Sequence, residues 1–417
     1  MSNEWWRHAA VYQVYIRSFA DGDGDGTGDI TGLRNRLPYL SELGIDAIWL
    51  NPWYESPLND GGYDVADYRK INHRFGTNAE ASAFIDEAHE VDIKVIVDLV
   101  PNHTSDEHDW FKAALEAAPG HPARDRFIFR PGRGPDGSEP PNDWVATFGG
   151  SAWEQVPDGE WYLHLFDTSQ PDLDWTNPEV LDEFDSIIRY WLDQGVDGFR
   201  VDVAHGLMKD PTFRDYRGEE RAAAAMALGH PHWDRDEIHE VVRRWRTIVD
   251  SYDGDRMLLA EAWVRPERLP LYVRPDEYHL SFSFDFATAR WTPVEFTKVI
   301  TDSLTEAASV GAPATWVLSN HDIVRHATRF GLPTQITPPE WLLDGPHDLL
   351  DVNLGLRRAR AGSLMMLALP GTAYIYQGEE LGLPEVWDLD EAVLDDPIWA
   401  LSEHTRKGRD GCRVPLP

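Results

Sequence analysis

Apolar positions fall into short uninterrupted runs separated by longer stretches with helical spacing. The runs lie at 11–16, 47–50, 94–100, 198–203, 257–263, 280–286, 315–318 and 372–376. Several are apolar over four or more residues, as strands buried on both faces of a parallel sheet should be. Between them, residues 79–91 place Phe84, Ala88 and Val91 on one helical face. Residues 178–193 open with Asn177-Pro178, a cap followed by a first-turn proline. Eight strands alternating with helices predict an α/β fold, a (β/α)8 barrel. The interval 104–175 breaks the rhythm and holds a Pro- and Gly-rich stretch at 131–143. It is expected to be a subdomain inserted after the third strand. The expected division is 1–103 for the first part of the barrel, 104–175 for the insertion and 176–417 for the second part of the barrel. No final helix is evident after Glu379, so the barrel is expected to close unusually or the chain to be cut short.

Charge and cysteine usage narrow the partners. The formal net charge of −34 argues against nucleic acid or an anionic membrane, since both demand positive patches. The single cysteine, Cys412, excludes an internal disulfide framework and Cys-based zinc sites and fits a reducing compartment. The N-terminus carries no basic region followed by an apolar run, and no apolar stretch is long enough to span a bilayer. A cytoplasmic protein acting on a small molecule is expected. The 18 tryptophans serve either a large core or a sugar-binding surface.

In a barrel, chemistry gathers at the C-terminal ends of the strands, so charged residues that end apolar runs carry the information. In GFRVDVAH, Arg200 and Asp202 are two apart and share a strand face. The Arg is expected to lower the carboxylate's pKa, which suits a nucleophile. In MLLAEAW, Glu261 ends a strongly apolar strand, where desolvation suits a general acid. His321 and Asp322 end the seventh strand in SNHD, and Asp98, Asn102 and His103 follow the third in DLVPNH. Two carboxylates in contrasting environments are the minimal equipment for glycosidic bond cleavage. No serine elbow, phosphate loop or dinucleotide fingerprint competes. Near the N-terminus, DGDGDGTGD sets Asp21, Asp23, Asp25, Thr27 and Asp29 at alternating positions, as in a helix–loop–helix calcium motif whose twelfth-position Glu is replaced by Gly32. A structural Ca²⁺ (or Mg²⁺) is expected, and no organic cofactor.

The ordered set GYDVADY, DLVPNH, QPDLDW, GFRVDV, LLAEAW and SNHD resembles the α-amylase family of glycoside hydrolases, and most resembles its α-glucosidase and oligo-1,6-glucosidase branch. The resemblance implies a retaining double displacement with Asp202 as nucleophile, Glu261 as acid/base and Asp322 as transition-state stabiliser. It further implies that Asp60 and Tyr63 hold and stack on the terminal glucose, that His103, Arg200 and His321 hold hydroxyls or the nucleophile, and that Phe148, Phe166 and Gln170 line the site. Arg409 resembles the Arg that pairs with Asp60, closing the pocket for exo action on short oligosaccharides. Val203, directly after the nucleophile, resembles the α-1,6-preferring members, which sets isomaltose slightly ahead of maltose. The branch's final barrel helix and C-terminal β-sandwich are not found before Pro417, so an exposed apolar seam is expected. A transglucosidase or a sucrose- or trehalose-isomerising relative would carry the same triad. A catalytically dead family member would lack triad carboxylates. Oligomeric state is left open.

Overall fold

The computed structural model describes residues 4–216 and 230–417. The eight apolar runs become β1 (Ala10–Val14), β2 (Ala47–Leu50), β3 (Lys94–Leu99), β4 (Gly198–Val201), β5 (Met257–Ala260), β6 (Leu280–Ser281), β7 (Thr315–Val317) and β8 (Thr372–Tyr376). They pair in the order β6-β5-β4-β3-β2-β1-β8-β7, every neighbour parallel. β1 meets β8 with Val11 opposite Tyr374. The remaining seam is bridged where the Ser283 N–H donates to the Thr315 carbonyl at 3.2 Å. The sheet is thus a nearly closed (β/α)8 barrel. Six of the runs end earlier as strands than expected, 280–286 most of all. Chain 280–286 stops pairing as a regular strand after Ser281, and Phe284–Thr288 coils into a helix. β1 likewise stops at Val14, before the helical turn Ile16–Phe19.

The outer helices are α1 (Ile30–Leu43), α2 (Asn78–Glu90), α3 (Pro178–Asp193), α4 (Ile238–Val249), α5 (Pro293–Val310) and α6 (Val352–Ala368). A reciprocal Thr77/Glu80 capping box starts α2, and the Asn177 side chain caps α3. Alternation along each strand separates two cores. Ile48, Val95, Val97, Phe199 and Leu258 face outward, in one cluster with Phe84 of α2 and Ile187 and Trp191 of α3. Val11, Ala47, Trp49, Ile96, Met257 and Leu259 fill the lumen. The same alternation carries Gln13, Asp98, Arg200 and Glu261 inward at the C-terminal ends, and this is how the fold positions the site.

Between β3 and α3 lie a helix, Asp109–Glu116, and a three-stranded antiparallel sheet with Glu160–Leu163 at its centre. Its core of Trp144, Trp153, Leu163 and Leu165 also takes in Phe213, Tyr216 and Trp233 from the loop after β4. After β8, the chain forms a short helix, Pro397–Leu401, and a turn, Asp410–Cys412, and the Leu416 N–H reaches the Ser18 carbonyl. Apolar side chains are exposed on α6, with Leu364 at 71% and Leu367 at 52%, and Leu43 of α1 is exposed as well. Among the described residues, no helix is long and apolar enough to cross a membrane.

Gly32 sits in the first turn of α1, where Asp29 caps its N–H. A Cβ there would lie 2.0 Å from the Ala20 carbonyl oxygen. Helix propensity alone favours alanine by about 1 kcal/mol. The clash is larger, so Gly32→Ala is expected to destabilise the protein by about 2 kcal/mol. Denaturant titration should show a lower midpoint at unchanged slope.

Candidate active site

Arg200 is the buried centre of the site, 1% exposed at the end of β4. Its Nη1 reaches Asp202 Oδ1 at 2.7 Å and Asp98 Oδ1 at 3.3 Å, and its Nη2 reaches Glu261 Oε2 at 2.9 Å. One planar guanidinium therefore holds three carboxylates from β3, β4 and β5. Asp202 departs from the sequence expectation. Burial pushes its pKa well above the usual carboxylate range, and Glu261 and Asp98 add to this against the opposing Arg200. Asp98 is raised to about 6 by burial, with Arg200, the Tyr63 hydroxyl and the Trp49 indole N–H opposing.

Glu261 is held from two further directions. The Val203 N–H donates to Oε2 at 3.0 Å and the Trp263 indole to Oε1 at 3.0 Å. Val203 has φ of +45°, a left-handed conformation that a β-branched residue adopts only under strain. That conformation turns the N–H behind the nucleophile toward Glu261. The same loop is anchored by Lys209, which the sequence analysis did not single out. Its buried ammonium contacts Asp172 Oδ2 at 2.8 Å, Asn102 Oδ1 at 2.8 Å and the Gly206 carbonyl at 2.7 Å. It ties the β3 end, the inserted subdomain and the nucleophile loop together where a metal ion would otherwise find oxygen ligands.

One end of the cavity is closed. Arg409 Nη2 pairs with Asp60 Oδ1 at 2.7 Å, its Nη1 reaches Asp322 Oδ1 at 3.1 Å, and its Nε binds Asp396 Oδ2 at 2.6 Å. Arg413, also missed from sequence, binds Asp322 Oδ1 at 2.9 Å and the His321 carbonyl at 2.7 Å. Burial alone would raise Asp322, but the guanidiniums of Arg409, Arg413 and Arg200 hold it well below the usual range. Asp60 runs the other way: burial outweighs Arg409 and Arg413 and raises it.

Tyr63 is oriented by a relay. Gln13 Nε2 donates to His321 Nδ1 at 2.8 Å, which leaves the His321 Nε2–H facing the Tyr63 oxygen at 2.6 Å. The Tyr63 hydroxyl donates to Asp98 Oδ2 at 2.8 Å. Burial drives the pKa of His321 well down, so it is neutral, and His103 falls to about 4 for the same reason. Gln170 donates to Asp60 at 3.1 Å.

Of the expected site residues, Asp60, Tyr63, His103, Phe148, Phe166, Asp202, Val203, Glu261, Asp322 and Arg409 line a single cavity of about 740 Å³. Arg200, Gln170 and His321 stand behind them and act by positioning. Trp233 and Trp263 also line it, whereas Trp49, Trp53, Trp153, Trp175, Trp191, Trp245, Trp316 and Trp341 are fully buried. The tryptophan-rich composition is mainly a core, with two residues left for the site.

The acidic loop lies apart from the cavity. Asp21, Asp23 and Asp29 each offer an oxygen within 4.8 Å of the others, and Asp25 is not among them. Asp21 also accepts the Gly24 and Gly26 N–H groups, and Asp25 accepts that of Thr27. These turns shape the loop, and three converging carboxylates fit a hard cation.

The chain is similar to known proteins along almost its whole length. The family described as "Alpha amylase, catalytic domain" matches residues 13–417. The oligo-1,6-glucosidase of Parageobacillus thermoglucosidasius is 37% identical across 100% of this chain and 75% of its own length. A probable α-glucosidase of Rhizobium meliloti (strain 1021) is 37% identical over 99% of this chain and 74% of its own. Among solved structures, the α-glucosyl transfer enzyme XgtA superposes with a TM-score of 0.86 at 34% identity, covering 99% of this chain and 75% of that one. The trehalulose synthase MutB reaches 0.85 at 32% identity with the same coverage.

Asp396 gives a pH test of the closed end. Burial opposes its charge, but Arg409 and Arg413 draw its pKa down to about 2. A carboxylate lowered on folding stabilises the fold above its unfolded value, near 4, and loses that contribution as pH falls through its folded value. Asp396→Asn is therefore expected to cost about 2 kcal/mol at pH 7. The difference from the parent should shrink between pH 4 and pH 2 in denaturant titrations.

Proposed function

The chain belongs to the α-amylase catalytic-domain family, a glycoside hydrolase fold, and on that premise we propose that it is an exo-acting, retaining α-glucosidase. It removes terminal α-linked glucose from short oligosaccharides of the isomaltose and maltose type. The observation that carries this reading is the closed end of the cavity. The Asp60–Arg409 ion pair, backed by Asp396 and Gln170, would stand in the way of a polymer running through, which supports action at a chain terminus. The planar guanidinium and the carboxylate present donors and acceptors to the hydroxyls of one sugar. Tyr63, Phe148 and Phe166 present faces to its apolar side.

The mechanism follows from the carboxylates. Asp202 and Glu261 share one guanidinium. Two carboxylates gathered on one cation support a nucleophile and an acid/base working as a pair, the retaining arrangement. In the proposed cycle Glu261 carries the proton that it delivers. Asp202 attacks C1 as Glu261 protonates the leaving oxygen, and Asp322, kept ionised, faces the developing positive charge. Glu261 then draws a proton from the incoming water, which releases glucose. A sugar in place of that water would give transfer, the reading favoured by the likeness to XgtA and MutB. Val203, with the oligo-1,6-glucosidase relatives, supports α-1,6 linkages ahead of α-1,4. The single, buried Cys412 supports a reducing, cytoplasmic setting.

Glucose and transfer products released from maltose, isomaltose, sucrose, trehalose and starch test the proposal. At least one disaccharide should be turned over, and starch should be poor. Asp202→Asn should lose at least about 10³-fold in kcat. Near-parent activity in that variant would sink the nucleophile assignment. For the acidic loop, we propose a structural Ca²⁺ or Mg²⁺ held by Asp21, Asp23 and Asp29. Chelator should lower the melting temperature more than the initial rate, and an unchanged melting temperature would remove the metal.

A further inference from the structure

Away from the catalytic cavity, the inserted subdomain carries a second recess of about 510 Å³, which shares no lining residue with the first. That volume lies within the roughly 300–1,000 Å³ usual for small-molecule pockets. Its floor is aromatic and firmly packed. Phe127 and Phe129 are buried there, and both rest on Phe111, with ring centroids 5.0 Å and 6.2 Å away. Its walls are charged. Two nearby arginines are fully used: Arg124 binds Asp158 and Glu160, and Arg126 binds Glu179. Arg130 makes no ion pair among the described residues. Its Nη1 donates to the Phe129 carbonyl at 2.7 Å, and its guanidinium lies over the Phe213 ring at 4.2 Å. Burial lowers its pKa, with Asp174 and then Glu160 opposing. Asp174 lines the same recess and accepts the Thr176 N–H and hydroxyl on Oδ1, at 3.0 Å and 2.6 Å. Its Oδ2 accepts nothing among the described residues. An arginine and an aspartate, both half-buried, therefore face one space without joining across it. Each has lost solvation that a partner would restore.

A ligand that closes this gap must accept from the guanidinium and donate to the carboxylate. Adjacent hydroxyls on one sugar ring do both. Two arginines and the carboxylates of Asp125, Glu160 and Asp174 line the recess, so a simple anion and a simple cation each meet like charge there. A neutral polyol meets neither penalty, and an aromatic floor suits the apolar side of a sugar ring. We infer that this recess is an accessory binding site for a neutral oligosaccharide, held between Arg130 and Asp174. Nothing in it depends on the catalytic carboxylates, so it stands or falls apart from the glucosidase reading.

Equilibrium dialysis of labelled isomaltose against the full chain carrying Asp202→Asn tests this without turnover. Two sugars should bind per chain, one in each cavity. Arg130→Met keeps an apolar stem over Phe213 and removes the donors, so it should weaken the second site at least about tenfold, as expected for lost hydrogen bonds to a charged group. Arg130→Lys keeps the charge without the planar fork and should recover only part of that affinity. In the chain that retains Asp202, Arg130→Met should leave initial rates on maltose and isomaltose within about twofold of the parent. Raising the salt concentration should leave binding at the second site unchanged, because a neutral sugar carries no charge to screen. Isomaltose should also slow backbone hydrogen exchange in segments 124–130 and 174–177, a readout that needs no change at Arg130. A single bound sugar that Arg130→Met does not affect overturns the accessory site while the catalytic cavity still binds. If Arg130→Met fails to fold, unchanged exchange in those two segments overturns it instead. A zwitterion could also bridge Arg130 and Asp174, so displacement of the second sugar by a lower concentration of glycine overturns the sugar assignment. A lone bound sugar that is lost in Arg130→Met supports the accessory site and tells against isomaltose as the substrate of the catalytic cavity.

Discussion

Everything at the top of the barrel depends on burying one guanidinium. Arg200 is 1% exposed and lies over the face of Trp49, with three carboxylates on its two terminal nitrogens. A buried cation without partners would be prohibitive, and so would three buried carboxylates without a cation. Each therefore requires the other. The strands that supply them are neighbours in the sheet, β3, β4 and β5, so barrel register sets the geometry and loop conformation does not. Asp98 lies opposite Arg200 across the β3–β4 pair, and Leu259, two residues before Glu261, lies opposite it across β4–β5.

That dependence explains which parts of the site could be read from sequence. Residues whose place follows from strand alternation were legible: Arg200 and Asp202 share a face because they are two apart, and Glu261 ends an apolar strand. The sign of the Asp202 shift was not legible. Its immediate neighbour Arg200 lowers the pKa, but burial and the facing Glu261 and Asp98 raise it more, and those come from other strands. Lys209 was invisible for the same reason, since its three partners come from separate segments. Arg413 lay within a motif already singled out for Arg409, yet nothing local says that it turns toward Asp322. Strand bounds failed at β6, where 280–286 reads as one apolar run although its second half is a helix whose Phe284 and Phe286 are buried by packing alone.

A second electrostatic assembly faces the first. Asp322 lies between Arg409 and Arg413, and Asp60 and Asp396 share Arg409. The two assemblies drive carboxylates apart. Asp322 is held low by the guanidiniums beside it, while Asp202 is raised by burial and by Glu261 and Asp98 around a single guanidinium. A chain with a net charge of −34 thus concentrates arginine where its acids must differ in protonation. Both arginines of the second assembly come from the last residues of the chain, which makes the segment after β8 part of the chemistry as well as of the fold.

The nucleophile loop is where the two demands meet. Val203 is strained at φ +45°, and its N–H reaches Glu261 only in that conformation. Strain of this kind persists where the surroundings over-determine the backbone. Here the restraint comes from both sides: Arg200 fixes the strand before it, and Lys209 fixes the turn after it through the Gly206 carbonyl, Asn102 and Asp172. Asp172 and Asn102 in turn sit beside Gln170 and His103 at the closed end of the cavity. A disturbance of the inserted subdomain would therefore reach the acid/base pair through Lys209 and the strained turn, without any contact between the subdomain and the reacting carboxylates.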